Sequence, residues 1–203
     1  MSKKRTTDLT RRCTWCGDDP LYVAYHDSDW GVPVHNDRKL FEMLTLEGAQ
    51  AGLSWITILR KRENYKLAFD NFDIDKVSAY DDSKFESLMG DAGIVRNRLK
   101  ISSTIDNARA VQKIRQEHGS LDAFLWSFVN GETQHNKWKT VSDIPAQTEL
   151  SVQLSKALKS YGCRFVGPTI CYAFMQSIGM VNDHTTDCYR HRELITLMGS
   201  GST

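Results

Sequence analysis

The stretch Lys159-Ser160-Tyr161-Gly162-Cys163-Arg164-Phe165-Val166-Gly167-Pro168-Thr169-Ile170 separates two apolar patterns of helical period, Leu150 to Ser160 and Pro168 to Ile178. Gly162 is suited to end the first helix and Gly167-Pro168 to open the second, because glycine accepts helix-end conformations and proline is tolerated in a first turn. Outward from this turn the same period recurs. Leu40, Phe41 and Leu44 form a stripe after the cap signal Asn36-Asp37, and Trp55, Ile56 and Leu59 form the next. Further helices are expected over Ser83 to Met89 behind Asp81-Asp82, over Ile101 to Gln116 and over Leu121 to Val129. Pro20, Pro33, Pro145 and Pro168 fall at breaks or first turns, and strand signals are sparse. The fold class is therefore all-α.

A chain of 203 residues suffices for one well-buried core. A single helical domain is expected over 13–191, between a disordered basic tail at 1–12 and a C-terminal tail at 192–203. No apolar stretch approaches the length of a membrane span, and the basic, polar segment Met1 to Arg12 lacks the apolar core of a signal peptide. Five cysteines, an odd number, suit a reducing compartment, and the cytoplasm is the expected location. A net charge of +1 carries no basic excess, so any nucleic-acid footprint must be local. The candidate clusters are Arg60-Lys61-Arg62, then Arg96 with Arg98 and Lys100, then Lys156 and Lys159 with Arg164; a solvated helix face explains such runs equally well.

The turn at 159–170 looks like a helix-hairpin-helix. Glycines let a backbone approach a phosphate closely, and the N–H groups opening the next helix point at the anion. Such contacts position a protein on DNA without reading bases. Metal chemistry is suggested by two distant groups, Cys13 with His26 and His184-x-x-x-Cys188, which together offer four ligands. A closed Cys2His2 set leaves no open coordination position, as a structural zinc requires, and it would tie the two ends of the domain together. Cys13-x-x-Cys16 is a competing pair, and spacing alone does not choose between Cys16 and His26. A third group is aromatic and acidic. Trp15, Tyr22, Tyr25 and Trp30 lie near the first ligands, and Glu47 and Trp55 bracket Gly48-Ala49-Gln50-Ala51-Gly52-Leu53-Ser54, where a glycine-containing break would let the glutamate face a cavity.

Taken in order, Cys13-Thr14-Trp15, the run from Asp19 to Asp27, Asp29-Trp30-Gly31-Val32-Pro33, the run from Leu46 to Ile56, the run from Phe165 to Gln176, and Val181-Asn182-Asp183-His184 closely resemble the bacterial DNA-3-methyladenine glycosylase I family. The resemblance extends from about Cys13 to Cys188. It implies a helix-hairpin-helix glycosylase fold with zinc held by Cys13, His26, His184 and Cys188, which demotes Cys16. It places the base pocket at Glu47, Tyr25, Trp55 and Trp15, and the hairpin at Tyr161 through Gly167, with Gly162, Arg164 and Gly167 as DNA contacts. The family often shows Gly-Phe-Lys-Phe-Val-Gly where this chain has Gly162-Cys163-Arg164-Phe165-Val166-Gly167; the charge is kept and the role of the Cys163 thiol is open.

The implied reaction is monofunctional hydrolysis of the N-glycosidic bond of 3-methyladenine in double-stranded DNA, leaving an abasic site without strand cleavage. Methylation at N3 makes the base cationic and a good leaving group, so little acid catalysis is needed. Glu47 would orient and select the electron-poor base, electron-rich rings would favour the cation, and Leu53 is nominated as the wedge filling the gap left by the flipped nucleotide. Many relatives with this hairpin carry a catalytic aspartate after it, a residue that this family lacks. Asp183 is accordingly expected to hold zinc ligand His184 from behind or to be structural, rather than to catalyse. The protein is expected to be monomeric and to have no membrane partner. A non-catalytic DNA-binding module is opposed by Glu47 and the pocket aromatics, and a zinc hydrolase would need a water in place of one cysteine.

Overall fold

The computed structural model describes residues 11–199, so most of the basic tail and the last four residues lie outside the described residues. Ten α-helices follow in chain order: α1 (Pro20–Ser28), α2 (Asp37–Gln50), α3 (Trp55–Ala68), α4 (Ile74–Ser78), α5 (Asp82–Gly90), α6 (Arg98–His118), α7 (Leu121–Ser127), α8 (Glu149–Ser160), α9 (Pro168–Ser177) and α10 (Tyr189–Gly199). The only strands among the described residues are a two-residue parallel pair, β1 (Gln134–His135) and β2 (Val181–Asn182). Among the described residues no helix is long and apolar enough to cross a membrane.

Helix starts follow from side-chain caps. Asn36 accepts from the Lys39 amide, Asp81 from the Lys84 amide and Thr148 from the Ser151 amide, each satisfying a donor that the first turn leaves orphaned. Helix α2 is the axis of the molecule: Leu40, Phe41, Met43, Leu44 and Leu46 are buried, and it packs against α3, α6, α7 and α9. Helices α8 and α9 pack against each other across the turn that opens at Gly162. Gly48 lies within α2, and an added Cβ there would sit 3.3 Å from Phe165 Cβ, so its bareness lets α2 approach the hairpin.

Three helices carry no clear apolar stripe in the sequence. These are α1, the five-residue α4, and α10, which crosses the domain boundary expected at residue 191 and buries Leu194. At the other end, Arg11 and Arg12, expected in the tail, pair with Asp187 and Asp27. Within the segment 48–54, where a break is expected, α2 runs on to Gln50 and the turn occupies Ala51 to Ser54, where Gly52 takes φ +77°.

Candidate active site and metal cluster

The two ends of the domain meet at Cys13, His26, His184 and Cys188, all buried, with ligand atoms within 4.8 Å of one another. Cys188 Sγ lies 3.5 Å from His26 Nε2 and from His184 Nδ1, and Cys13 Sγ lies 3.6 Å from His184 Nδ1. A tetrahedral ion with bonds of about 2.3 Å to sulfur and about 2.0–2.1 Å to nitrogen holds such atoms about 3.6 Å apart, so the set fits a metal. The far nitrogens are also fixed: His26 Nδ1 meets Asp27 Oδ1 at 2.7 Å and His184 Nε2 meets the Trp30 carbonyl at 3.1 Å, which aims the free lone pairs inward. Burial lowers the His184 pKa, favouring the neutral ring that a metal needs. The hydrogen bond from Cys13 pulls the Cys188 thiol well below its ordinary range, with both imidazoles adding to the effect. Cys16 is excluded as a ligand because its thiol donates to the Cys13 carbonyl at 3.1 Å.

Against this cluster lies a cavity of about 360 Å³. Trp15, Tyr22, Tyr25, Trp30 and Trp55 line one side, Thr169, Tyr172, Ala173 and Gln176 of α9 another, and Val141, Ile144, Pro145 and Ala146 of the loop after β1 a third. Trp15 meets Trp30 at 4.9 Å and Tyr25 meets Trp55 at 5.4 Å between ring centroids. The same rings touch the ligands, since Trp30 sits 4.6 Å from His184 and Trp15 sits 5.3 Å from His26.

Glu47 and Gln50, on the last turns of α2, reach this cavity. The contrast with Glu42, five residues earlier on the same helix, shows what is unusual. Glu42 is buried but meets Arg62 Nε at 2.6 Å and Lys39 Nζ at 3.2 Å, whereas Glu47, 4% exposed, has no cationic partner among the described residues. Burial pushes the Glu47 carboxyl up to about 8, with the Ser177 hydroxyl offsetting part of the effect. The structure therefore brings Trp15, Tyr25, Glu47 and Trp55 together in one cavity.

Leu53, 41% exposed, stands in the turn after α2, between Gln50 and Trp55 of the cavity lining in sequence. Lys100 braces the turn by donating to the carbonyls of Ala49 (2.8 Å) and Ala51 (2.7 Å). In the hairpin, Gly162 takes φ +97° and Gly167 caps α9, with open space where either Cβ would stand. Among the described residues no acceptor is found for the amides of Phe165, Val166 and Gly167. The Arg164 guanidinium folds back to Asp106 at 2.9 Å, and its backbone is clamped by Asn107. Cys163 is buried, and burial pushes its thiol up to about 12, so it fills core rather than reacting.

Most of the candidate basic clusters are consumed internally. Arg60 pairs with Asp19, Arg62 with Asp29 and Glu42, and Arg98 with Glu86, and Lys61 and Lys100 donate to backbone carbonyls; Arg96, Lys156 and Lys159 make no ion pair among the described residues. Of the two roles expected for Asp183, its contacts favour the structural one. Its carboxylate touches neither His184 nor any other ligand, and instead accepts from Asn136, Trp138, Tyr172 and Gln176. The carboxylate behind the cluster is Asp27, and burial, which works against it, is outweighed by Arg12 and His26, holding its pKa below the usual range. The α9 wall was missed, although Thr169, Tyr172, Ala173 and Gln176 stand at i, i+3, i+4 and i+7, a small and polar stripe on an otherwise apolar helix.

An all-helical frame with a glycine hairpin, a closed Cys2His2 cluster and an aromatic cavity over a buried carboxyl defines a class, and the comparisons name it. The family model described as methyladenine glycosylase matches residues 15–191, and the chain belongs to that family. It is 54% identical over 177 residues to DNA-3-methyladenine glycosylase 1 of Escherichia coli (strain K12), covering 87% of this chain and 95% of that protein. The crystal structure of a 3-methyladenine DNA glycosylase I (TAG) superposes with TM-score 0.86 at 51% identity, covering 88% of this chain and 98% of that one. The Staphylococcus aureus 3-methyladenine DNA glycosylase I, solved to explain its recognition of 3-methyladenine, superposes with TM-score 0.86 at 38% identity, over 88% and 95% of the two chains.

Proposed function

We propose that this protein excises 3-methyladenine from double-stranded DNA, hydrolysing the N-glycosidic bond to release the free base and leave an abasic site for base-excision repair. One observation carries the reading: a buried carboxyl without a cationic partner, Glu47, faces a cavity walled by aromatic rings. Cations are attracted to such ring faces by about 0.5–2 kcal/mol each, so a methylated, positively charged adenine is favoured over the neutral base. With the cavity empty, Glu47 carries a proton for the most part at neutral pH. An arriving cation favours its ionised form, and the carboxylate then accepts hydrogen bonds from the base and orients it.

Cleavage of the C1′–N9 bond sends its electron pair into the ring, which departs as neutral 3-methyladenine. Water adds at C1′ and releases its proton to solvent. To reach the cavity the nucleotide must leave the stack, at a cost of a few kcal/mol that is lower for a damaged base. Leu53, exposed in the turn after α2, fills the gap. The unpartnered amides of Phe165, Val166 and Gly167 at the start of α9 suit a backbone phosphate, which glycines at 162 and 167 let approach. Arg164 adds positive charge there only by exchanging Asp106 for the phosphate.

Two thiolates and two imidazoles select zinc, and the closed set gives it a structural role, tying residue 13 to residue 188 and backing the cavity's aromatic wall. The protein works as a monomer in the cytoplasm, a setting that its five free cysteines suit. The test is incubation with N-methylated DNA, followed by chromatography of released bases, for the wild type beside Glu47→Ala. Release of 3-methyladenine by the wild type and its reduction in the variant is expected. A folded, metal-loaded wild type that binds DNA and releases nothing would leave a binding module instead.

A further inference from the structure

Asp183 is fully buried and takes no part in the proposed reaction, yet it accepts four hydrogen bonds. Asn136 Nδ2 (2.6 Å) and Trp138 Nε1 (2.8 Å) donate to Oδ1; the Tyr172 hydroxyl (2.6 Å) and Gln176 Nε2 (2.7 Å) donate to Oδ2. A carboxylate offers only lone pairs, so every partner must turn a donor toward it. This settles the orientation of the Gln176 amide, which distance alone leaves open. With Nε2 bound to Asp183, Oε1 has no partner among the described residues, and it is not among the buried unpartnered atoms, so it reaches the cavity that Gln176 lines. Tyr172, one turn earlier on α9, commits its only O–H to the same carboxylate and has none left to donate into the cavity.

We propose that Asp183 is a specificity-determining positioning residue: it makes the α9 wall an acceptor surface, led by Gln176 Oε1, that admits a purine with an amino group at C6 and rejects one with an oxygen at C6. The inference rests on the proposed base excision and names which alkylated purine the cavity takes. Adenine presents an amino donor where guanine presents a carbonyl acceptor. Acceptor against acceptor leaves both groups desolvated and unpaired, and a site built to hydrogen-bond one group discriminates more sharply than shape does. An asparagine at position 183 would offer two donors of its own, and Gln176 could then turn over and present N–H to the cavity. The two remaining donors, Asn136 and Trp138, precede the loop that forms the third wall, so one carboxylate orients two sides of the cavity.

The test is the affinity of free 3-methyladenine and free 3-methylguanine, read by quenching of tryptophan fluorescence, for the wild type, Asp183→Asn and Gln176→Met. Methionine keeps the length of the side chain, removes the acceptor and leaves three donors on Asp183, so it serves even if Asp183→Asn fails to fold. The wild type is expected to prefer 3-methyladenine. Each folded variant should lower that affinity about tenfold, the scale of one buried hydrogen bond, while affinity for 3-methylguanine stays within about twofold or rises. An equal loss for both bases, or no change in their ratio, would overturn the inference. Release of bases from methylated DNA, measured alongside, separates the two claims: a collapsed ratio without release sinks the reaction alone, and release with an unchanged ratio sinks the acceptor wall alone.

Discussion

The cluster of Cys13, His26, His184 and Cys188 and the cavity over Glu47 lie back to back, with Trp15 and Trp30 shared between them, yet they treat buried polarity in opposite ways. In the cluster every ligand atom faces another at the spacing of a metal, and both histidines are held from behind, by Asp27 and by the Trp30 carbonyl. In the cavity, among the described residues, Glu47 meets no cation, and the indole N–H groups of Trp15 and Trp55 are buried without a partner. A site for a resident ion closes around it. A site for a passing ligand keeps polar groups waiting, and its rigidity comes from elsewhere, here from Asp183 and the metal ligands behind the rings.

Breaking the closed site should have the largest effect. Structural zinc contributes apparent binding free energies on the order of 10 kcal/mol or more, comparable to the whole stability of a domain. Cys188→Ala is expected to lose the metal and to abolish cooperative folding, as followed by metal analysis and thermal melting. Asp27→Asn leaves all four ligands in place and should weaken metal retention by about 10–100-fold while sparing the choice of base. A metal-free Cys188→Ala protein that still melts cooperatively and excises base would show that the cavity needs no support from the cluster.

Glu47→Gln tests the open site, with effects of opposite sign on activity and stability. Excision should fall by about a hundredfold, the scale of losing one preorganised electrostatic partner. Stability should rise. A carboxyl whose folded pKa is about 8 keeps its proton in the native state while the unfolded chain releases it near the ordinary value of 4.5. The stability that the protonated form supplies is complete below 4.5 and is lost progressively as pH rises to 8. Removing the titration should therefore raise stability at pH 8 by on the order of 2–4 kcal/mol, with little change near pH 4. For the wild type, kcat/KM should climb as pH rises through about 8, where the free carboxyl ionises, and the variant should show no such rise. Equal melting shifts at both pH values would mean that Glu47 is not held protonated.

The same contrast explains which parts were legible in the sequence. Helices α2, α3 and α5 to α9 announce themselves by apolar period and by caps such as Asn36 and Asp81, because their apolar faces answer to a core. Helix α1 does not, since its buried side chains, Tyr25 and His26, serve the cavity and the cluster rather than a stripe. Spacing left Cys16 and His26 open as ligands; the family resemblance favours His26, and the turn of the Cys16 thiol toward the Cys13 carbonyl agrees with it. For Asp183, adjacency to His184 left a brace on the ligand and a structural role both open. Asp183 follows the short strand β2, where successive side chains leave an extended chain on opposite sides, so the neighbour of a metal ligand faces the cavity wall.

The smallest expected effect extends the contrast to the hairpin, where the amides of Phe165, Val166 and Gly167 are likewise left waiting for a partner. Its two glycines should separate cleanly. Gly162 has φ +97°, so Gly162→Ala should cost about 1–2 kcal/mol of stability through backbone strain. Gly167 has φ −63° and ψ 160°, which any residue before a proline adopts, and its missing Cβ meets open space. Gly167→Ala should therefore leave stability within about 0.5 kcal/mol of the wild type. If a phosphate approaches these amides, the added methyl holds it off, and affinity for undamaged duplex should fall roughly three- to tenfold, the scale of one weakened hydrogen bond. An unchanged affinity in a variant of unchanged melting temperature would mean that the open space over Gly167 is not where DNA docks.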